Sequence, residues 1–171
     1  MAKAKRILIP TDFSIHSLQF LITVLEEEPA AQVEVVLAYG MRSGSFMTEL
    51  FIFSKEEYLQ KVQSEEFIKG CQMIENRFGE KVSGLYADVL TSDNPNYIRN
   101  YLKGNHIHEV ILHEEHYSTC THKHYLDLHR PMMKAAPFLS VLSDSSLSEK
   151  QHAEQNEIAD LFFRSQYDVT Y

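Results

Sequence analysis

Cysteine is nearly missing from this chain, with only Cys71 and Cys120 among 171 residues. They are far apart and form no Cys-x-x-Cys motif, so neither a thioredoxin-type redox centre nor paired zinc-finger ligands are written here. Cys71 lies on the apolar stripe of a predicted helix and reads as a small buried hydrophobe. No disulfide is expected in a reducing compartment. Glycine is sparse too, at six residues, and none stands in a Gly-x-x-x-x-Gly-Lys loop, which excludes a Walker-type phosphate site. Positive charge is in deficit: 16 Lys and Arg face 24 Asp and Glu, for a net charge of −8 with no basic cluster. That balance argues against a nucleic-acid surface, because phosphate binding needs grouped cations. No apolar run approaches a bilayer span, and the first residues lack the apolar core of a signal peptide. No membrane association is expected, and the cytoplasm is the expected compartment.

What remains is an ordinary globular composition, 44% hydrophobic, in a length that suits one domain with a tail. The stretch from Lys5 to Ser14 carries the most information. Two basic residues lead into the apolar run Ile7-Leu8-Ile9, then a polar turn, then Ile15, Leu18, Leu21, Ile22 and Leu25 at helical spacing. A short strand feeding a helix through so tight a turn is how an open α/β sheet begins. Ligands of such sheets bind at the carboxyl ends of the strands, where Pro10, Thr11 and Asp12 fall.

The alternation continues along the chain. Val33 to Tyr39 reads as a second strand ending near Gly40. The segment from Met41 to Phe53 is too apolar for a solvated loop and is expected to pack on the body or on a partner. Ser54 and Glu57 form a capping box, opening one long helix that turns Tyr58, Val62, Phe67, Cys71, Ile74 and Phe78 inward and stops at Gly79. Val82 to Leu90 is a third strand, and Asn94-Pro95 starts a helix whose inner face is Ile98, Tyr101 and Leu102. Val110 to Leu112 is a fourth strand, a short helix is expected around Met132 to Ala135, and Phe138 to Leu142 is the last strand. The order predicts an α/β fold, an open five-stranded parallel sheet with helices on both faces. Residues 1–143 make that domain, and residues 144–171 a polar linker with a short helix marked by Ile158, Leu161 and Phe162.

Seven of the nine histidines lie between His106 and His129. His113 and His116 flank two glutamates at the end of the fourth strand, and Cys120, His122 and His124 follow. Imidazole, thiolate and carboxylate are the groups zinc prefers, so His113, His116, Cys120 and His122 are candidate metal ligands. The spacing is neither His-Glu-x-x-His nor that of a zinc finger, and a polar surface loop without a ligand fits the same residues. Several imidazoles charging together would also make the loop pH-responsive. Thr11 and Asp12 admit two readings in the same way, as ligand contacts or as caps of the first helix. Ser14 and His16 have no acid at a defined place and make no recognisable triad.

The opening Ile7-Leu8-Ile9-Pro10-Thr11-Asp12-Phe13-Ser14, the strand Val35-Val36-Leu37-Ala38-Tyr39, the helix from Ser54, the strand Glu109-Val110-Ile111-Leu112 and the proline-led Pro137-Phe138-Leu139-Ser140-Val141-Leu142 together resemble the universal stress protein family. The likeness spans residues 4–143 and leaves the tail outside. It implies a Rossmann-like sheet of the adenine nucleotide alpha hydrolase-like kind, a homodimer usually paired through the last strand, and a role in stress response. In the ATP-binding branch of that family, the aspartate after the first strand and the residue ending the second hold the adenosine. By the resemblance those are Asp12 and Gly40, with Pro10 and Thr11 beside them.

The same branch cradles phosphates with a loop of Gly-x-x-Gly, nine residues, then Gly-Ser or Gly-Thr. Laid on this chain, the three glycine positions fall on Glu114, Tyr117 and Asp127, with Leu128 in place of the hydroxyl residue. Glycines let backbone N–H groups approach a phosphate; Glu114 and Glu115 instead bring carboxylates to a polyanion. At 4 Å such a like-charge pair costs roughly 1–4 kcal/mol. The expectation is therefore the branch lacking the ATP loop: a non-catalytic stress-response or regulatory dimer with an unidentified protein partner, no ATP, and zinc as the one cofactor the histidines suggest. The alternatives are a small-molecule or nucleotide sensor with an altered phosphate loop, and a metal-binding protein using the histidine-rich residues 113–129.

Overall fold

The computed structural model describes residues 3–42, 54–115, 118 and 120–142. Of the segment expected from Met41 to Phe53 only Met41 and Arg42 are described; residues 43–53, the tail at 144–171 and His116 lie outside. Five parallel strands, β1 (Lys5–Thr11), β2 (Val33–Gly40), β3 (Val82–Leu90), β4 (Glu109–His113) and β5 (Leu139–Leu142), form one sheet in the order β3-β2-β1-β4-β5. The chain thus starts at the centre, winds outward to β3, and crosses back to β4 and β5. The reversal between β1 and β4 opens a crevice at their carboxyl ends, the usual ligand position in an open α/β sheet.

Helices α1 (Ile15–Glu27), α2 (Lys55–Val62) and α3 (Glu65–Arg77) cover one face, and α4 (Pro95–Gly104) and α5 (His129–Ala135) the other. Strand residues alternate between the two layers. Ile7, Ile9, Val35 and Leu37 meet Leu18, Leu21, Phe67 and Ile74, while Leu8, Val36 and Val110 meet Ile98, Leu102 and Met132. Burial on both faces is why β1, β2 and β4 read as unbroken apolar runs.

The single helix expected from Ser54 to Gly79 is two. The capping box is present, with Glu57 Oε2 accepting from Ser54 N at 2.8 Å and Ser54 Oγ accepting from Glu57 N at 3.3 Å. Yet α2 ends at Val62, because Ser64 turns extended and caps a new helix, its Oγ accepting from Phe67 N at 3.1 Å. A serine that can satisfy its own downstream N–H competes with helix continuation. The end also differs from expectation. Helix α3 stops at Arg77 and Gly79 has no positive φ, since the N–H groups of Lys81 and Val82 both turn back to Phe78 O. Cys71 is half-buried against the α1 side of the core, and burial, with Glu75 adding to it, pushes its thiol up to about 12.

The amino ends of the strands are tied by charge. Lys5 Nζ sits 3.0 Å from Glu28 and 2.6 Å from Glu109, and Glu109 also accepts from the Ser140 hydroxyl. Burial pushes the Glu109 carboxyl up, but Lys5 and Ser140 outweigh it and hold the group below its ordinary range. Burial also disfavours the Lys5 ammonium, and the two glutamates outweigh that and raise its pKa. A depressed carboxyl contributes stability above its unfolded pKa of about 4.3 and loses it as pH falls through the folded value. A raised lysine contributes below about 10.4 and loses it above. Urea midpoints are therefore expected to be flat from neutral pH to mild alkali and to fall in acid. In Lys5→Met the acid fall should be shallower, and an unchanged acid limb would remove Lys5 as the cause.

Candidate functional site

At the carboxyl end of β1 the chain makes a braced turn. Thr11 is buried, and its Oγ1 accepts from Phe13 N at 3.0 Å while donating to Ser17 Oγ at 3.0 Å. Asp12 Oδ1 accepts from Ser14 N at 3.0 Å. The cap of α1 is Ser14, whose Oγ accepts from Ser17 N at 3.3 Å, so the capping role expected of Thr11 or Asp12 falls to the serine two or three residues on. Phe13 between them takes a φ of 58°, in the left-handed region. Its ring stacks on Tyr39 at 4.8 Å and meets Phe67 edge-on at 5.1 Å.

This turn forms one wall of a cleft of about 60 Å³. Pro10, Thr11, Asp12, His16 and Phe20 line one side, with His113, Glu115, Tyr125, Asp127 and His129 opposite. Each histidine is oriented by an oxygen. His16 Nδ1 lies 3.2 Å from Gln19 Oε1, His113 Nδ1 donates to the Glu115 carbonyl, and His129 Nε2 donates to the His113 carbonyl at 3.0 Å. The His113 ring also rests on Phe20, centroids 4.8 Å apart, and stands 6.4 Å from the His16 ring. Among the described residues, three carboxylates and no lysine or arginine line the space. Burial raises the Tyr125 phenol; the Ser118 hydrogen bond opposes that, and Asp127, Asp12 and Cys120 add to the rise, so Tyr125 stays neutral here.

Gly40 stands outside this cleft. The strap from His122 to Leu128 runs over the end of β2: Leu126 N donates to Gly40 O at 2.9 Å, Arg42 N donates to His124 O at 2.9 Å, and Met41 pairs with Tyr125 as an antiparallel bridge. A Cβ on Gly40 would lie 1.9 Å from the Leu126 carbonyl oxygen and 2.8 Å from Leu128 Cγ. Tyr125 packs on Tyr39 at 5.3 Å, and Tyr39 OH lies 3.6 Å from Cys120 Sγ. Burial first, then this cysteine contact, raises the Tyr39 phenol.

The sequence-derived candidates therefore divide. Pro10, Thr11, Asp12 and His113 meet in the cleft, Gly40 lies under the strap, Cys120 turns to Tyr39, and His122 is exposed. Among the described residues no group of three or more His, Cys, Asp or Glu is placed to hold a metal ion. His16, Tyr125, Asp127 and His129 line the cleft without having been named as ligand contacts. His16 falls on the polar side of the α1 pattern, Tyr125 and Asp127 stand in an aperiodic return from β4, and His129 opens α5.

No protein-family model matches the chain, and no curated protein does. The structure is similar to solved structures of the universal stress kind. Universal stress protein UspA from Lactobacillus plantarum is 13% identical with a TM-score of 0.47, over 84% of this chain and 99% of that one. A protein of the universal stress protein family from Burkholderia pseudomallei is 16% identical with a TM-score of 0.42, over 81% and 94%. Hypothetical protein MJ0577 is 19% identical with a TM-score of 0.49, over 83% and 97%. The fold itself rests on this chain's own sheet order and helix placement. No described helix is long and apolar enough to cross a membrane.

Proposed function

We propose that this is a non-catalytic stress-response or regulatory protein of the universal-stress type, acting as a dimer, which does not take ATP in the manner of that family's nucleotide-binding branch. The strap over Gly40 carries the reading. The resemblance puts adenosine between Asp12 and Gly40, and here the Leu126 backbone is hydrogen-bonded to Gly40 and packed to contact. The cleft beside it, about 60 Å³, is far below the roughly 300 Å³ at which small-molecule pockets begin. Its lining sets the carboxylates of Asp12, Glu115 and Asp127 where a phosphate chain would have to lie.

Calorimetric titration of ATP with Mg²⁺ is expected to show no saturable binding up to about 1 mM, weaker than −4.1 kcal/mol. A micromolar Kd would overturn the reading, and native mass spectrometry of the same sample tests the dimer. A second reading, a small-ligand sensor, draws on the cleft's oriented imidazoles and carboxylates, which suit a ligand of few heavy atoms. Adenosine or AMP binding that is lost in Asp12→Ala would favour it.

A further inference from the structure

Five large apolar side chains stay exposed among the described residues, and three of them belong to α5, the edge strand β5 and the residue that leads into it. Met133 of α5 is 52% exposed, Phe138 at the entry to β5 66%, and Val141 within β5 50%. Val141 shares its strand face with Leu139, which packs in the same layer as Met132 and Ala135 of α5, so Met133 and Val141 belong to one flank, while Phe138 falls on the alternate face with Leu142. Arg130, Met133 and Lys134 are all exposed and stand at i, i+3 and i+4, one face of α5. The flank is apolar with a basic border, in a protein whose net charge is −8.

The chain continues past Leu142 for residues 143–171, and that stretch carries the opposite border. It contains six carboxylates, Asp144, Glu149, Glu154, Glu157, Asp160 and Asp168, against Lys150 and Arg164. Ile158, Leu161 and Phe162 repeat at i, i+3 and i+4, and Glu154 and Glu157 precede Leu161 on the same helical face. Residues 143–157 join Leu142 to Ile158. A flexible polar linker of that length would have an r.m.s. span of roughly 20 Å and give a local concentration of order millimolar. A free partner would have to exceed that concentration or bind more tightly.

We propose that residues 154–162 of the chain's own tail dock on this flank, with Ile158, Leu161 and Phe162 against Met133 and Val141, and Glu154 and Glu157 against Arg130 and Lys134. A helical segment laid there covers side chains and leaves the outward backbone groups of β5 open, so the docking is compatible with pairing between copies. It stands whether or not the protein binds ATP.

Hydrogen exchange of the full chain, read by mass spectrometry, tests it. Leu161→Asp should speed exchange of peptides covering 130–142 at least about fivefold, with the central strands unchanged. The effect should be the same at low and high protein concentration. The double charge reversal Arg130→Glu with Lys134→Glu should reproduce it, and adding Glu154→Lys with Glu157→Lys should restore slow exchange. Unchanged exchange at 130–142 in Leu161→Asp would overturn the proposal. So would protection in the parent that fades on dilution, because the occupant would then be a second copy, and so would a charge reversal that its complement fails to rescue.

Discussion

Gly40→Ala is expected to lower the melting temperature by roughly 10 °C, since of the described glycines Gly40 leaves the least room for a Cβ. The new Cβ would lie 1.9 Å from the Leu126 carbonyl oxygen, a backbone atom held by its own neighbours rather than the end of a flexible side chain. Overpacking of that kind costs about 3 kcal/mol, and in a domain near 150 residues each kcal/mol is worth roughly 3 °C. Relief requires the strap to lift, which breaks the Leu126–Gly40 and Arg42–His124 hydrogen bonds and separates Tyr125 from Tyr39. Gly104→Ala is the control, since a Cβ there meets nothing within 4 Å. It should change stability by less than about 1 kcal/mol. If Gly40→Ala melts with the Gly104 variant, the strap is a loose cover, and the argument that it closes the adenosine position fails with it.

The strap also shows where sequence reading stops. Strand and helix periods gave the five strands, their parallel arrangement and the two-faced helical cover, because each element buries a regular stripe. Proline and asparagine at 94–95 placed the start of α4, and Asn94 Oδ1 does accept from Asn96 N at 2.9 Å. The break between α2 and α3 was hidden because apolar spacing carries across it, from Tyr58 and Val62 to Phe67, and Ser64 looks like any surface serine until its side chain turns to Phe67 N. The return from β4 to α5 has no period at all. That Leu126 lands on Gly40 follows from tertiary packing, a close approach that only a glycine permits, and no local pattern announces it. The same aperiodic stretch brings Tyr125, Asp127 and His129 to the cleft, so half of the site was illegible while Pro10, Thr11 and Asp12, at a strand end, were not.

Those three residues owe their position to Phe13, and its replacement is expected to invert a familiar order. In most places alanine is the gentler truncation and glycine the harsher. Here φ is 58°, a conformation that costs a residue with a Cβ about 1–2 kcal/mol and glycine almost nothing. Phe13→Ala loses the stack on Tyr39 and the edge contact with Phe67, at about 4 kcal/mol, and keeps the backbone cost. Phe13→Gly loses the same ring contacts and is relieved of that cost, so it should be the more stable of the two by about 1 kcal/mol in urea denaturation. An alanine variant as stable as the glycine one would mean that the turn had relaxed out of its left-handed state. Thr11 Oγ1 would then no longer face Phe13 N, and Asp12 would lose its bond to Ser14 N and its fixed place in the cleft. The aromatic stack thus does for the turn what a glycine would have done more cheaply. It holds the strained residue in place with packing energy, and in doing so it fixes the wall of the cleft that carries Pro10, Thr11 and Asp12.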